Sequence, residues 1–197
     1  MLLVFLSDSE AAKPVAIADL PAMVVRVDNV AGVLPGHLQV AEDRASEVFA
    51  RIGAAIHWID QEESVSQRIT PSFTVVLVNA QGADGKGQVA SLFVDALGAT
   101  PPGVRRAYVF YDRVAALNVG TPRTIPSLLG DVIAHELGHL LLPPPGHSWD
   151  GIMCPGLETK SWAVKTFTKP QAREVLSRVR AALTAVPTGF CSSANPG

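Results

Sequence analysis

The stretch IAHELGHLLLPPPGHSWDGIMCPG, residues 133–156, holds three of the five histidines in the chain. Two of them, His135 and His139, stand four residues apart with Glu136 directly after the first, which is the pattern His-Glu-x-x-His. Apolar residues recur at helical spacing through this region, and the three prolines that follow cannot continue a helix. The sequence therefore predicts a helix over about residues 124–142 that carries both histidines on one face.

Two imidazoles on consecutive helical turns can bind one metal ion, and zinc accepts histidine nitrogen at about 2.0–2.1 Å. Glu136 is rotated by about 100° from His135 on an ideal helix, so it lies beside the ion without binding it. From there it can act as a general base toward an attacking water molecule. The motif predicts a hydrolase site with Zn2+ as its cofactor. The alternative is a histidine pair on a buried helix, which would need other partners.

A catalytic zinc site needs a third protein ligand, and three residues after the helix are candidates. His147 follows His139 by eight residues, and the chain between them is long enough to fold back onto the metal. Histidine is also the preferred ligand type of the three candidates. Asp150 can serve instead through its carboxylate, and Glu158 is a further alternative on a segment with little helical pattern.

The tripeptide GIM, residues 151–153, follows the third histidine. With it, residues 131–155 resemble the metzincin clan of zinc metallopeptidases, whose signature is His-Glu-x-x-His-x-x-Gly-x-x-His before a tight turn with a methionine. The chain departs from that signature, because Leu142 and Pro145 occupy the glycine slot and the third-histidine slot. His147 comes two residues late, and the sequence looks most similar to a bacterial metzincin-like subgroup with a longer gap.

The resemblance implies that His135, His139 and His147 bind zinc and that Glu136 is the catalytic base. It also implies that Met153 is the Met-turn residue beneath the metal; the alternative is an ordinary gap-filling methionine in the core. It further implies an extended peptide or protein substrate that adds a strand to the edge of a sheet, and an extracytoplasmic location.

Two other residues near the motif have alternative interpretations. Asp131 stands four residues before His135 and can orient it from behind, although a solvated carboxylate is the simpler interpretation. Gly138 either only weakens the helix or lets the methionine turn approach closely.

The predicted fold is α/β, with a twisted mixed sheet, an active-site helix and a smaller C-terminal helical part. Valine-rich or alternating segments predict strands at residues 22–30, 55–60, 72–80 and 105–114. Apolar periodicity predicts further helices over about residues 38–52 and 169–185. Residues 87–96, GQVASLFVDA, are the candidate edge strand. We expect one catalytic domain over residues 1–197, with residues 147–197 forming its C-terminal part after an upper part of residues 1–146.

The composition narrows the class of protein further. The 197 residues are 48% hydrophobic and 17% charged, which favours a compact globule over a disordered chain. The formal net charge is −2 and there is a single Arg-Arg pair, so we expect no nucleic-acid partner. The apolar run at residues 1–6 is shorter than the about 20 residues of a membrane span and than a signal peptide. Cys154 and Cys191 can form one disulfide or remain two free thiols.

The sequence leaves the function itself open between classes. A zinc-dependent metalloendopeptidase is the leading interpretation. A zinc-stabilised binding module or degenerate enzyme, and a zinc hydrolase of a non-peptide amide, are the alternatives. An unliganded glutamate beside the ion favours a catalytic site, because a purely structural site does not need one.

Overall fold

The computed structural model describes residues 20–66, 72–80, 95–117, 123–155 and 163–184. Five strands in these ranges form one sheet: β1 (Ala22–Asn29), β2 (Ala55–Ile59), β3 (Phe73–Val78), β4 (Gly98–Ala99) and β5 (Arg106–Phe110). The strand order is β2-β1-β3-β5-β4, with β1, β2, β3 and β5 parallel and β4 antiparallel to β5. The predicted mixed α/β fold is therefore confirmed, and β4 forms one edge of the sheet.

Burial along the strands follows their places in the sheet. In β1, the buried residues Met23, Val25 and Val27 alternate with half-exposed ones, as expected for a strand with one face in the core. Every residue of β3 is buried, because β3 lies in the middle of the sheet with covered faces.

Within the described ranges, five helices accompany the sheet: α1 (Pro35–Ala50), α2 (Gln61–Ser66), α3 (Tyr111–Leu117), α4 (Ile125–Leu141) and α5 (Lys169–Thr184). An ion pair between Arg44 Nε on α1 and Asp131 Oδ1 on α4, 2.7 Å apart, joins these two helices. Val175 and Val179 of α5 are fully buried in the same core cluster as β1 and α4. Among the described residues, no helix is long and apolar enough to cross a membrane.

The structure corrects the element predictions at two places. The strand expected over residues 105–114 ends at Phe110, and α3 begins at Tyr111. The reason is Asp112, whose Oδ1 accepts the backbone N–H groups of Ala80 and Arg113 at the start of that helix. The short helix α2 was not expected; Asp60 caps it by accepting from Glu63 N at 2.7 Å, and that Asp-x-x-Glu spacing was a readable signal.

Some expectations concern residues that the structure does not describe. These are Glu158 as a zinc ligand, the pairing of Cys154 with Cys191, and the apolar run at residues 1–6. Of the expected edge strand at residues 87–96, only residues 95 and 96 are described, and neither is in a strand. The described edge strand, β4, begins two residues later.

Candidate metal centre

Helix α4 supplies the first half of the site. Thr124 caps its start by accepting a hydrogen bond from Ser127 N at 3.4 Å. Its end is set by Leu142, whose N–H donates to Gly138 O at 2.9 Å before the prolines begin. The helix is almost entirely buried, including the polar residues Asp131, His135 and Glu136, so the backbone that carries His135 and His139 is held on several sides. Such a support fixes ligands more precisely than a loop does.

The loop after α4 returns the third histidine to the helix. Gly146 has a φ of +70°, and a Cβ placed there would lie 3.1 Å from His139 Nδ1. A larger residue at this turn would therefore be strained and would press on the imidazole. Gln171 of α5 donates its Nε2–H to Gly146 O at 3.0 Å, which ties the turn to the final helix. His147 follows directly and is exposed at the mouth of the site.

The three histidines predicted as ligands lie together. One ring nitrogen from each histidine lies within 4.8 Å of the corresponding nitrogens of the other two, and His135 Nε2 is 3.0 Å from His139 Nε2. Two nitrogens bound tetrahedrally to zinc at 2.0–2.1 Å would be about 3.3 Å apart, so the observed spacing fits that ion. The ring centroid of His147 is 5.4 Å from that of His135 and 4.7 Å from that of His139. Three imidazole nitrogens are a donor set that zinc accepts.

The hydrogen bonds of His135 define which of its nitrogens can bind a metal. His135 Nδ1 lies 2.8 Å from Ile152 O, so Nδ1 carries the proton and donates it to the carbonyl. The lone pair is then on Nε2, which points toward the other imidazoles. Burial lowers the pKa of His135, and burial together with the two neighbouring histidines lowers the pKa of His139 to about 4. Both are therefore neutral at neutral pH, as ligands must be.

Glu136 faces the edge of the sheet. Thr100, directly after β4, donates its Oγ1–H to Glu136 Oε2 at 2.8 Å. Gly98 makes room for the same side chain, because a Cβ there would lie 2.6 Å from Glu136 Cγ. Burial raises the pKa of Glu136 to about 7, and the Thr100 hydrogen bond acts in the opposite direction. Thr100 and Gly98 are site residues that the sequence did not reveal, since only the fold brings them to α4.

Met153 packs against Gly138, on the helix turn that separates His135 from His139. It is 0% exposed, and a Cβ on Gly138 would overlap its Sδ. The close approach that the glycine was expected to permit is therefore present. Ser148 N donates to Met153 O at 3.1 Å, which closes the turn between the third histidine and the methionine. Ile152, the residue before Met153, accepts the hydrogen bond from His135 Nδ1 through its carbonyl oxygen.

The two aspartates considered near the motif have other partners. Asp131 is 1% exposed, and its two oxygens bind Arg44 Nε and Arg123 Nη2, each at 2.7 Å. The expectation of a solvated carboxylate is therefore wrong, and its described bonds go to arginines rather than to His135. Asp150 is exposed and accepts from Gly151 N at 2.6 Å, and it is not in the described histidine group.

The site opens into a cleft. A cavity of about 380 Å³ is bordered on one side by residues 95–100, which include the edge strand, and by the three histidines and Glu136 on the other. Pro155 completes the lining beyond the methionine turn. The three histidines and Glu136 therefore border the same cleft as the described edge strand.

No protein-family model matches this chain, and no curated protein matches its sequence. Among solved structures, the fold is similar to that of archaemetzincin from Methanopyrus kandleri, with a TM-score of 0.42 and 13% sequence identity. The superposition covers 83% of this chain and 97% of that one.

Proposed function

We propose that this chain is a zinc-dependent metalloendopeptidase in which His135, His139 and His147 bind the metal and Glu136 is the general base. The observation that carries the proposal is the convergence of three ring nitrogens within 4.8 Å beside a buried glutamate at a cleft. When bound, zinc supplies a Lewis acid that polarises a carbonyl and lowers the pKa of water. His135 would bind through Nε2, since its Nδ1 donates to Ile152 O.

Glu136 has the contacts that a general base requires. Thr100 holds Oε2 at 2.8 Å, so the carboxylate has a fixed orientation and its other oxygen can accept a proton from the attacking water. The same carboxyl can then pass that proton to the leaving amine. Burial raises the pKa of this carboxyl to about 7 in the metal-free protein, toward the range in which a group can both accept and release a proton at neutral pH.

The sheet edge beside the site supports a peptide substrate. Among the described residues, β4 pairs with β5 alone, so its other edge can bind an extended peptide through its backbone groups. Residues 95–100 line the cleft along this edge, which would place a peptide strand across the metal. An extended peptide would use this strand edge, whereas a small non-peptide amide would not. The cleft therefore favours a peptide or protein substrate.

The test compares the wild-type chain with Glu136→Gln after loading with zinc. Glu136→Gln should retain stoichiometric zinc by elemental analysis and lose cleavage of a peptide library by about a hundredfold or more. Glu42→Gln is a matched control, because Glu42 is also a partly buried glutamate with a pKa raised to about 7, by burial and by Asp43. Glu42 lies on α1, lining a different cavity, so this variant should cleave normally.

Three results would contradict the proposal in different ways. Equal cleavage by the wild type and Glu136→Gln would remove Glu136 from the mechanism. Zinc binding by a wild type that cleaves no peptide would indicate a binding module or degenerate enzyme. Hydrolysis of simple amides without cleavage of any peptide in the library would indicate a different zinc hydrolase.

A further inference from the structure

A second cavity adjoins the candidate metal centre. It has a volume of about 450 Å³ and shares two lining residues, Thr100 and His139, with the first. The two cavities therefore adjoin at these two residues. We call the second cavity the proline groove; its walls are the loop after β4 and the loop after α4, represented by Pro101, Pro102, Val104, Leu142, Pro144 and Pro145.

The chemistry of the proline groove is apolar. Prolines stand on both walls, Leu142 is 8% exposed at its base, and no residue that lines it within the described chain is an aspartate, glutamate, lysine or arginine. Val104 is 48% exposed, so its side chain is in water when the groove has no occupant. The pyrrolidine rings fix φ along both walls, and a preformed apolar wall costs little ordering entropy when a ligand binds.

The direction of β4 determines which part of a peptide would reach the groove. The chain runs from Gly98 through Thr100 past the metal centre and then enters the groove at Pro101. A peptide added antiparallel to β4, the slightly more stable pairing, runs the opposite way. Its residues on the amino-terminal side of the scissile bond therefore lie opposite residues 101–104.

We propose that the proline groove is a specificity subsite for an apolar side chain on the amino-terminal side of the scissile bond. This inference rests on the proposed function and adds a substrate preference to it. The occupant is a side chain of the leucine class, because such a side chain removes its own apolar surface and that of Val104 from water together. A carboxylate or ammonium group in the same place would lose water and meet no described countercharge.

The experiment measures binding, so that it does not depend on cleavage. Zinc-loaded Glu136→Gln is titrated with N-acetylated peptides that carry a hydroxamate at their carboxyl-terminal end. The hydroxamate binds zinc, so every side chain of the peptide lies on the amino-terminal side of the metal. Leucine, alanine or aspartate is placed at each position in turn. A second series carries the hydroxamate at the amino-terminal end, so that its side chains lie on the carboxyl-terminal side. Acetohydroxamate, which has no peptide part, reports on the metal centre alone.

We expect one position of the first series to prefer leucine over alanine and aspartate by about tenfold or more in Kd. Val104→Asp, made in the same Glu136→Gln protein, should abolish that preference. Val40→Asp is the matched control, because Val40 is 47% exposed on α1, outside the groove, against 48% for Val104. It should leave the preference intact.

The possible failures are distinguishable. If acetohydroxamate binds but no position of the first series discriminates, the subsite is refuted while the metal centre stands. A leucine preference confined to the second series, or one that survives Val104→Asp, refutes the assignment of the groove. If acetohydroxamate does not bind, the metal centre and the subsite are both refuted. Tight, selective binding by a wild type that cleaves nothing supports the subsite and contradicts the peptidase.

Discussion

Replacing Gly138 with alanine tests the packing of Met153 against α4. The new Cβ would overlap Met153 Sδ and would lie 3.0 Å from Phe167 Cε1. Met153 is 0% exposed, so its thioether cannot simply move into solvent. Adding a methyl group to such a site costs about 1–3 kcal/mol, whereas glycine to alanine within a helix gains about 0.5–1 kcal/mol. We expect a net loss of unfolding free energy on the order of 1 kcal/mol.

The sign should reverse when the methionine is shortened. In a Met153→Ala background the overlap with Sδ is absent, and the space vacated by the methionine lets Phe167 give way by the few tenths of an ångström that the new Cβ needs. Gly138→Ala should then stabilise the protein by about 0.5–1 kcal/mol. The double-mutant cycle should therefore give a coupling energy of about 1–3 kcal/mol. Gly36→Ala is the control, because Gly36 lies in α1 with nothing within 4 Å of its Cβ position. It should stabilise both backgrounds alike.

The same substitution should also weaken zinc binding. A displaced Met153 moves the neighbouring Ile152, whose carbonyl accepts the Nδ1–H of His135 at 2.8 Å. Loss of such an outer partner lowers metal affinity by about 10–100-fold. Urea denaturation with a chelator present gives the stabilities, and competition with a chromophoric chelator gives the zinc affinities. The packing argument is refuted if Gly138→Ala raises the unfolding free energy as much as Gly36→Ala does. It is also refuted if Gly138→Ala has the same effect in the wild-type and Met153→Ala backgrounds.

Three further predictions concern the other residues of the site. Thr100→Val removes the hydrogen-bond donor to Glu136 and should lower kcat by about tenfold or more with little change in KM. Thr100→Ser keeps a hydroxyl and should restore kcat. Equal activity of the wild type and both variants would exclude a positioning role for Thr100. His147→Ala should lower zinc affinity by more than a hundredfold without unfolding the metal-free protein, because His147 is exposed; an unchanged affinity in the same chelator competition would mean a different third ligand. Glu136→Gln should stabilise the metal-free protein by up to about 3 kcal/mol at pH 8 but hardly at pH 4. The folded-state pKa of Glu136 is about 7 against an ordinary 4.5, so the ionised carboxylate becomes increasingly costly as the pH rises between those values. Urea denaturation that shows no pH-dependent difference between the two proteins would contradict this prediction.

The sequence predicted the parts of the structure that depend on local patterns. The alternation in β1, the continuous apolar run of β3 and the prolines that end α4 each specify an element by themselves. The spacing of His135 and His139 likewise needs only a helix to bring their Nε2 atoms within 3.0 Å.

The parts that were missed depend on contacts between distant segments. Thr100 reaches Glu136 only because the edge strand runs beside α4, and nothing in the residues around Thr100 indicates that neighbour. The end of the strand at Phe110 is decided by Asp112, whose carboxylate binds the backbone N–H of Ala80 from another strand's end. The ion pair between Arg44 and Asp131 joins residues 87 positions apart, and the one between Arg123 and Asp131 joins residues 8 positions apart. A short sequence window does not reveal that these three side chains meet.

Two buried carboxylates on α4 show how the fold separates structural from chemical roles. Asp131 is 1% exposed and is neutralised by two arginines, so its charge costs the fold little and fixes α1 against α4. Glu136, five positions later, is 5% exposed, and among the described residues its side chain has a hydroxyl partner, Thr100, but no ion-pair partner. A buried carboxylate without a countercharge is costly, and the two neighbouring imidazoles on α4, His135 and His139, are held neutral because burial lowers their pKa. In the proposed function, a divalent cation bound by the histidines would supply the missing positive charge without contacting the carboxylate directly. The arrangement that destabilises the metal-free protein would then leave Glu136 ionised and able to take a proton from water.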